Sequence, residues 1–146
     1  MIVSMESIHR LLLATDLEAA SERAADEAIN LAAESGAQLV VLSVIEPGRL
    51  SLPGGRIVRR MDQERARIES GVQSLVARAH TAGARAAYLV WEGDPAEMIM
   101  AASEAEDVDV IVLGSHHRGR FGRLVLGSTS ARISRDAGRR VLVVPG

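Results

Sequence analysis

The sequence predicts an α/β protein: a five-stranded, parallel, doubly wound sheet in the order 3-2-1-4-5. Two observations carry this reading. Five short apolar runs rich in β-branched residues alternate with four longer segments of helical pattern, the signature of repeated βαβ units. Most of these runs are nearly continuous in apolar residues rather than alternating, as strands buried on both faces of a parallel sheet must be. Right-handed crossovers then place helices over both faces.

Each element has its own local support. "RLLLAT" (10–15) reads as the first strand. The first helix, 19–35, carries Ala24, Ala28 and Ala32 at helical spacing, with Gly36 as its stop. "QLVVLSVI" (38–45) is the second strand. It is followed by "EPGRLSLPGGR" (46–56), whose Pro and Gly content predicts a mobile loop. The second helix, 57–82, shows the apolar stripe Met61, Ile68, Val72, Leu75 and Ala79 and ends at Gly83. Its run "RRMDQERARIE" (59–69) reads as a solvated face of mixed charge. "ARAAYLVW" (84–91) is the third strand, with Trp91 expected to pack at its edge. The third helix opens with "DPAE" (94–97): Asp94 caps it, Pro95 suits its first position, and Glu97 completes a capping box. "VDVIVL" (108–113) is the fourth strand. A fourth helix spans 128–137, with Ser128 as N-cap and Gly138 past its end. "RVLVV" (140–144) is the fifth strand.

Composition bounds the function. A chain of 146 residues is expected to form one domain, 1–146, burying roughly 70% of its unfolded surface. At 47% hydrophobic and 25% charged it reads as soluble and globular. No apolar run approaches the roughly 20 residues that cross a membrane, and "MIVSMESIHR" lacks a signal-peptide layout, so a cytoplasmic location is expected. The absence of cysteine removes disulfides, thiolate metal sites and cysteine nucleophiles. A formal net charge of -2, with Tyr88, Trp91 and Phe121 the only aromatic residues, argues against a nucleic-acid partner.

In the order 3-2-1-4-5 the topological switch lies between the first and fourth strands, where open α/β sheets usually bind ligands. The stretch "GSHHRGRFGRLVLGSTS" (114–130) leaves the fourth strand at that point. Two glycines of a P-loop are present in "GSHHRG" (114–119), but Arg120 and Phe121 replace the lysine and hydroxyl, and no helix opens at once. A dinucleotide fingerprint is absent too, because "DLEAASER" follows the first strand without a glycine. A flavodoxin-type cradle and a response-regulator acidic cluster are missing as well. The start of the fourth helix offers an anion site through its unpartnered N–H groups and its dipole, and Arg118, Arg120 and Arg123 add charge. Against this stands the plain alternative that Ser128 caps its own helix and the arginines face water. Adjacent His116 and His117 point apart and have no carboxylate nearby in sequence, so no metal site is expected. His9 and His80 read as surface residues.

The spacing from Gly114 to Gly127-Ser128 resembles the universal stress protein family. Its nucleotide-binding members carry Gly, two residues, Gly, nine residues, then Gly-Ser or Gly-Thr. "LLATD" (12–16), "EGDPAEMIMAASEAEDVDVIVLGSH" (92–116) and "LVLGSTSARI" (124–133) extend the resemblance over nearly the whole chain. It implies a Rossmann-like module of stress response that binds ATP, with Mg²⁺; efficient catalysis is not expected, because no Walker lysine is present and no nucleophile–base pair stands out in the sequence. It further implies that Ala14 lines the pocket, Asp16 contacts the adenosine end and the Val44 backbone meets the adenine edge. Gly114, Ser115 and His116 match the start of the motif, with Gly114 against the ribose. Gly127, Ser128 and Thr129 hold the phosphates. Asp16 has an alternative role as cap of the first helix. One position departs: His117 replaces the second glycine, and a left-handed backbone there would cost about 1–2 kcal/mol. That departure favours a second reading, a family member that binds no nucleotide and acts by associating with another protein. A third reading, an adenylate-transferring enzyme, requires catalytic motifs that the sequence lacks. The fifth strand is apolar and falls at a sheet edge, and the family commonly pairs this strand with its symmetry mate, so a homodimer through 140–144 is expected.

Overall fold

The computed structural model describes residues 8–47, 57–114, 116–118, 124–126 and 128–146; the side chains of 57–60, 116–118 and 124–126 lie outside that description. The elements in order are β1 (Arg10–Ala14), α1 (Glu22–Ser35), β2 (Gln38–Ile45), α2 (Ile57–Thr81), β3 (Arg85–Glu92), α3 (Pro95–Ala105), β4 (Val110–Gly114), β5 (His116–Arg118), β6 (Leu124–Leu126), α4 (Ser128–Asp136) and β7 (Arg140–Val144). The main sheet runs β3-β2-β1-β4-β7, and every neighbouring pair in it is parallel. This is the expected order 3-2-1-4-5.

Alternation along the strands divides the core between the two faces. Leu11, Leu13, Leu39, Val41, Val110 and Val112 pack with Ala24, Ala28 and Ala32 of α1 and Ile68, Val72, Leu75 and Ala79 of α2. Leu12, Val40, Leu42, Ile111 and Leu113 point the other way, onto Ala96, Ile99 and Ala102 of α3 and Ile133 of α4. Both faces are therefore apolar, which is why the strand sequences read as unbroken apolar runs. Trp91 packs, partly buried, against the second cluster from the edge strand β3.

Two of the expected helix ends are present. Gly36 takes φ 76°, and its N–H donates to the Ala32 carbonyl. Asp94 Oδ2 accepts from the Glu97 N–H at 3.0 Å, with Pro95 in the first turn of α3.

Several expectations are corrected. The first helix does not run unbroken from 19: a 3₁₀ turn at Ala19–Ser21 precedes α1. Its cap is not Asp16 but Ser21, whose side chain makes no cap hydrogen bond. Ser128 is the first residue of α4 rather than the residue before it. The fourth strand starts at Val110, because Asp107 takes φ 49° and the Asp109 carboxylate turns back to accept from the N–H groups of His9 and Arg10, at 2.7 and 3.0 Å. The stretch after β4 holds two short strands that the sequence reading did not anticipate. His116–Arg118 and Leu124–Leu126 pair as an antiparallel ribbon, with His117 opposite Val125. Extended backbone does not incur the left-handed cost considered for His117. The loop positions 48–56, Ser115, Gly127 and the residues 119–123 lie outside the described residues, as do the side chains of His116 and His117.

Candidate functional site

At the carboxyl end of the sheet, β1 leaves toward β2 while β4 leaves toward β7, so the switch point falls between β1 and β4. Ala14 ends β1 in register with Leu42 on one side and Leu113 on the other. The chain then turns sharply. The Thr15 N–H continues the ladder to the Leu42 carbonyl at 3.0 Å, and buried Ser43 donates its hydroxyl to the Thr15 carbonyl at 2.8 Å. Asp16 is exposed just beyond. Its Oδ1 accepts from the Glu18 N–H at 2.9 Å and from the Ser21 hydroxyl at 2.7 Å. The carboxylate is thus held on one oxygen by its own turn.

Asp16 and Val44 line a common open cleft with Glu18, Ser43, Glu46, Glu64, Arg67 and Ile68. Arg67 donates to both oxygens of Glu64, at 3.1 and 2.7 Å. That hydrogen bond raises the guanidinium above its usual value; burial opposes the shift, and the charges of Glu64, Glu18 and Asp16 reinforce it. Four carboxylates against one guanidinium make the cleft acidic. It suits groups that donate hydrogen bonds, such as sugar hydroxyls and exocyclic amines, and repels phosphates.

Gly114 lies beside this cleft rather than in its lining. Ser21 bridges the two: a Cβ on Gly114 would meet Ser21 Oγ at 3.6 Å, and the same hydroxyl holds Asp16. The Gly114 carbonyl in turn accepts from the hydroxyl of buried Ser130 at 3.2 Å. The first turn of α4 is thereby tied to the end of β4. That turn contains no acidic residue, and Ser128 is exposed and Thr129 half-buried. An anion at the start of α4 would meet N–H groups that lack partners within the helix, with no acidic residue in that turn.

The structure therefore gathers Asp16 and Val44 in one cleft and links Gly114 to both the Asp16 turn and α4. Ala14 supports them from β1. Sequence reading missed Ser21, Ser43 and Ser130, and it read Glu64 and Arg67 as part of a solvated face. The signals were faint: small hydroxyl residues beside strand ends, and one charged pair at i and i+3. Among the described residues no three His, Asp or Glu side chains stand together as a metal site, and no helix is long and apolar enough to cross a membrane.

Known proteins resemble this chain in sequence and fold. The model of the universal stress protein family matches residues 7–145. A universal stress protein of Thermus aquaticus is 35% identical over 139 residues, covering 92% of this chain and 96% of the relative. The structure of a universal stress protein from Lactobacillus plantarum superposes with a TM-score of 0.84 at 23% identity, covering 94% of this chain and 97% of that one. A universal stress protein solved in complex with cAMP gives a TM-score of 0.70 at 26% identity, over 94% of this chain and 97% of that one.

Proposed function

The chain belongs to the universal stress protein family, and from that premise we propose that it is a cytoplasmic ATP-binding regulatory module of the stress response, without efficient catalysis. The observation that carries this reading is the polarity of the site. An acidic cleft lined by Asp16 and Val44 lies on one side of Gly114, and the acid-free first turn of α4 lies on the other. A molecule neutral at one end and anionic at the other fits that order in only one direction. Its nucleoside end meets Asp16 and the Val44 backbone, its sugar lies over Gly114, and its phosphates face Ser128 and Thr129. Gly127, Ser115 and His116 complete the phosphate end in this reading, and Ala14 backs the pocket.

A similar protein was solved with a bound adenine nucleotide, cAMP, which supports a nucleotide of this class here. Mg²⁺ would supply charge neutralisation for a triphosphate; the acids of the cleft lie at the opposite end from it. The hydroxyls around the site serve the backbone and the Asp16 turn: Ser43 donates to the Thr15 carbonyl, Ser130 to the Gly114 carbonyl and Ser21 to Asp16, while Thr15 Oγ1 accepts from the Leu17 N–H.

The module is further proposed to act as a homodimer through β7. Among the described residues that strand pairs with β4 alone, and Leu142 on it is 39% exposed. The test of the nucleotide reading is direct: protein purified without added nucleotide is denatured and the supernatant analysed, and apo protein is titrated with ATP by calorimetry. Release of an adenine nucleotide, or binding at sub-millimolar ATP, supports the reading. Neither result at millimolar ATP transfers the function to protein association alone.

A further inference from the structure

Leu17 follows Asp16 directly and takes φ 65°, a left-handed conformation that is a genuine outlier for a bulky side chain. Two contacts hold it there. Its N–H donates to Thr15 Oγ1 at 3.0 Å, and its side chain packs, partly buried, against the core face shared by α1 and α2. Gly71 makes room for it. A Cβ at Gly71 would lie 2.6 Å from Leu17 Cδ1, 3.2 Å from Cδ2 and 3.3 Å from Cγ. Apart from proline, glycine is the poorest helix former, and this contact accounts for its place inside the 25-residue α2. Gly71 lies about one helical turn beyond Arg67, which lines the Asp16 cleft.

We infer that Leu17 is a positioning residue for Asp16: seated over the Gly71 notch of α2, it holds the 15–18 turn left-handed and so fixes the carboxylate. The inference rests on the nucleotide reading for its functional consequence, but not for its structural one. Seating of one side chain couples α2 to the residue set against the nucleoside.

The test separates backbone conformation from simple packing. Leu17→Ala removes the seated group but keeps a residue that disfavours positive φ, so the turn relaxes and ATP affinity falls roughly 5- to 30-fold, the equivalent of the left-handed penalty. Gly71→Ala evicts the outer carbons of the leucine and weakens binding in the same direction. Leu17→Gly loses more packing than Leu17→Ala, yet glycine adopts positive φ freely, so affinity stays within about three-fold of wild type. In the Leu17→Gly background, Gly71→Ala has no further effect, and in an Asp16→Ala background neither does Leu17→Ala. Amide exchange at Glu18, whose N–H is held by Asp16 Oδ1, is measured without nucleotide. Its protection is expected to drop in Leu17→Ala and Gly71→Ala and to persist in Leu17→Gly. A Leu17→Gly protein as impaired as Leu17→Ala in Glu18 protection overturns the inference whether or not ATP binds. Absence of ATP binding with the exchange pattern intact overturns the nucleotide reading and leaves the positioning role standing.

Discussion

Replacing Ser128 with aspartate sets stability against binding. Ser128 is exposed at the first position of α4, in a turn free of acidic residues. A carboxylate there interacts favourably with the helix dipole, by about 0.3–1 kcal/mol. For a domain of this size that raises Tm by roughly 1–4 °C. A bound phosphate would lie within about 4 Å of the new charge. Two like charges at that separation repel by about 1 kcal/mol in water and about 4 kcal/mol near a protein surface. For an exposed position about 1–3 kcal/mol is expected, a loss of roughly 5- to 150-fold in Kd. Calorimetry with ATP and thermal melting without it read the two effects separately. Ser128→Asn, a neutral residue of the same shape as aspartate and of helix propensity similar to serine, keeps the affinity near wild type, and raising the salt narrows the gap between Asp and Asn. An aspartate variant with raised Tm and unchanged Kd would show that the phosphates do not lie at the start of α4, and the proposed orientation would fail.

Other outcomes follow from single contacts. Burial pushes the Asp109 carboxyl up, but the N–H groups of His9 and Arg10, with the charges of His9 and Arg140, outweigh it and hold the group below its ordinary value. A depressed carboxyl stabilises the fold above its unfolded pKa and loses that contribution as the pH falls through the folded value. Asp109→Asn is therefore expected to lower Tm at pH 7, and the gap to wild type should close as the pH falls below about 4; a gap independent of pH would refute the assignment. Ser130→Ala removes the bond to the Gly114 carbonyl and should cost about 1 kcal/mol, read by chemical denaturation, with a larger proportional loss in ATP affinity than in stability. Val143→Lys on the outer strand β7 should give monomer or insoluble protein by light scattering, and an unchanged dimer mass would exclude this interface.

The sequence alone determined the sheet and its helices, because those signals are local. Continuous apolar runs such as "QLVVLSVI" and "VIVL" declare strands covered on both faces, and Gly36 and the "DPAE" start mark helix ends through residues that touch their own neighbours. The switch point was legible for the same reason: strand order sets it, and Asp16, Val44 and Gly114 lie at or just past the carboxyl ends of the strands around it. The tertiary structure decided what no local pattern encodes. Glu64 and Arg67 belong to a charged helical run, and only the packing of α2 turns them into the cleft. Ser21 lies between Asp16 and Gly114 because the 3₁₀ turn carries it there. The ribbon of His116–Arg118 with Leu124–Leu126 is too short to show a strand period. Leu17 takes a left-handed backbone while its side chain sits where Gly71, more than fifty positions away, carries no Cβ; the backbone cost is local and the packing partner is not, so the sequence shows neither until the chain is folded.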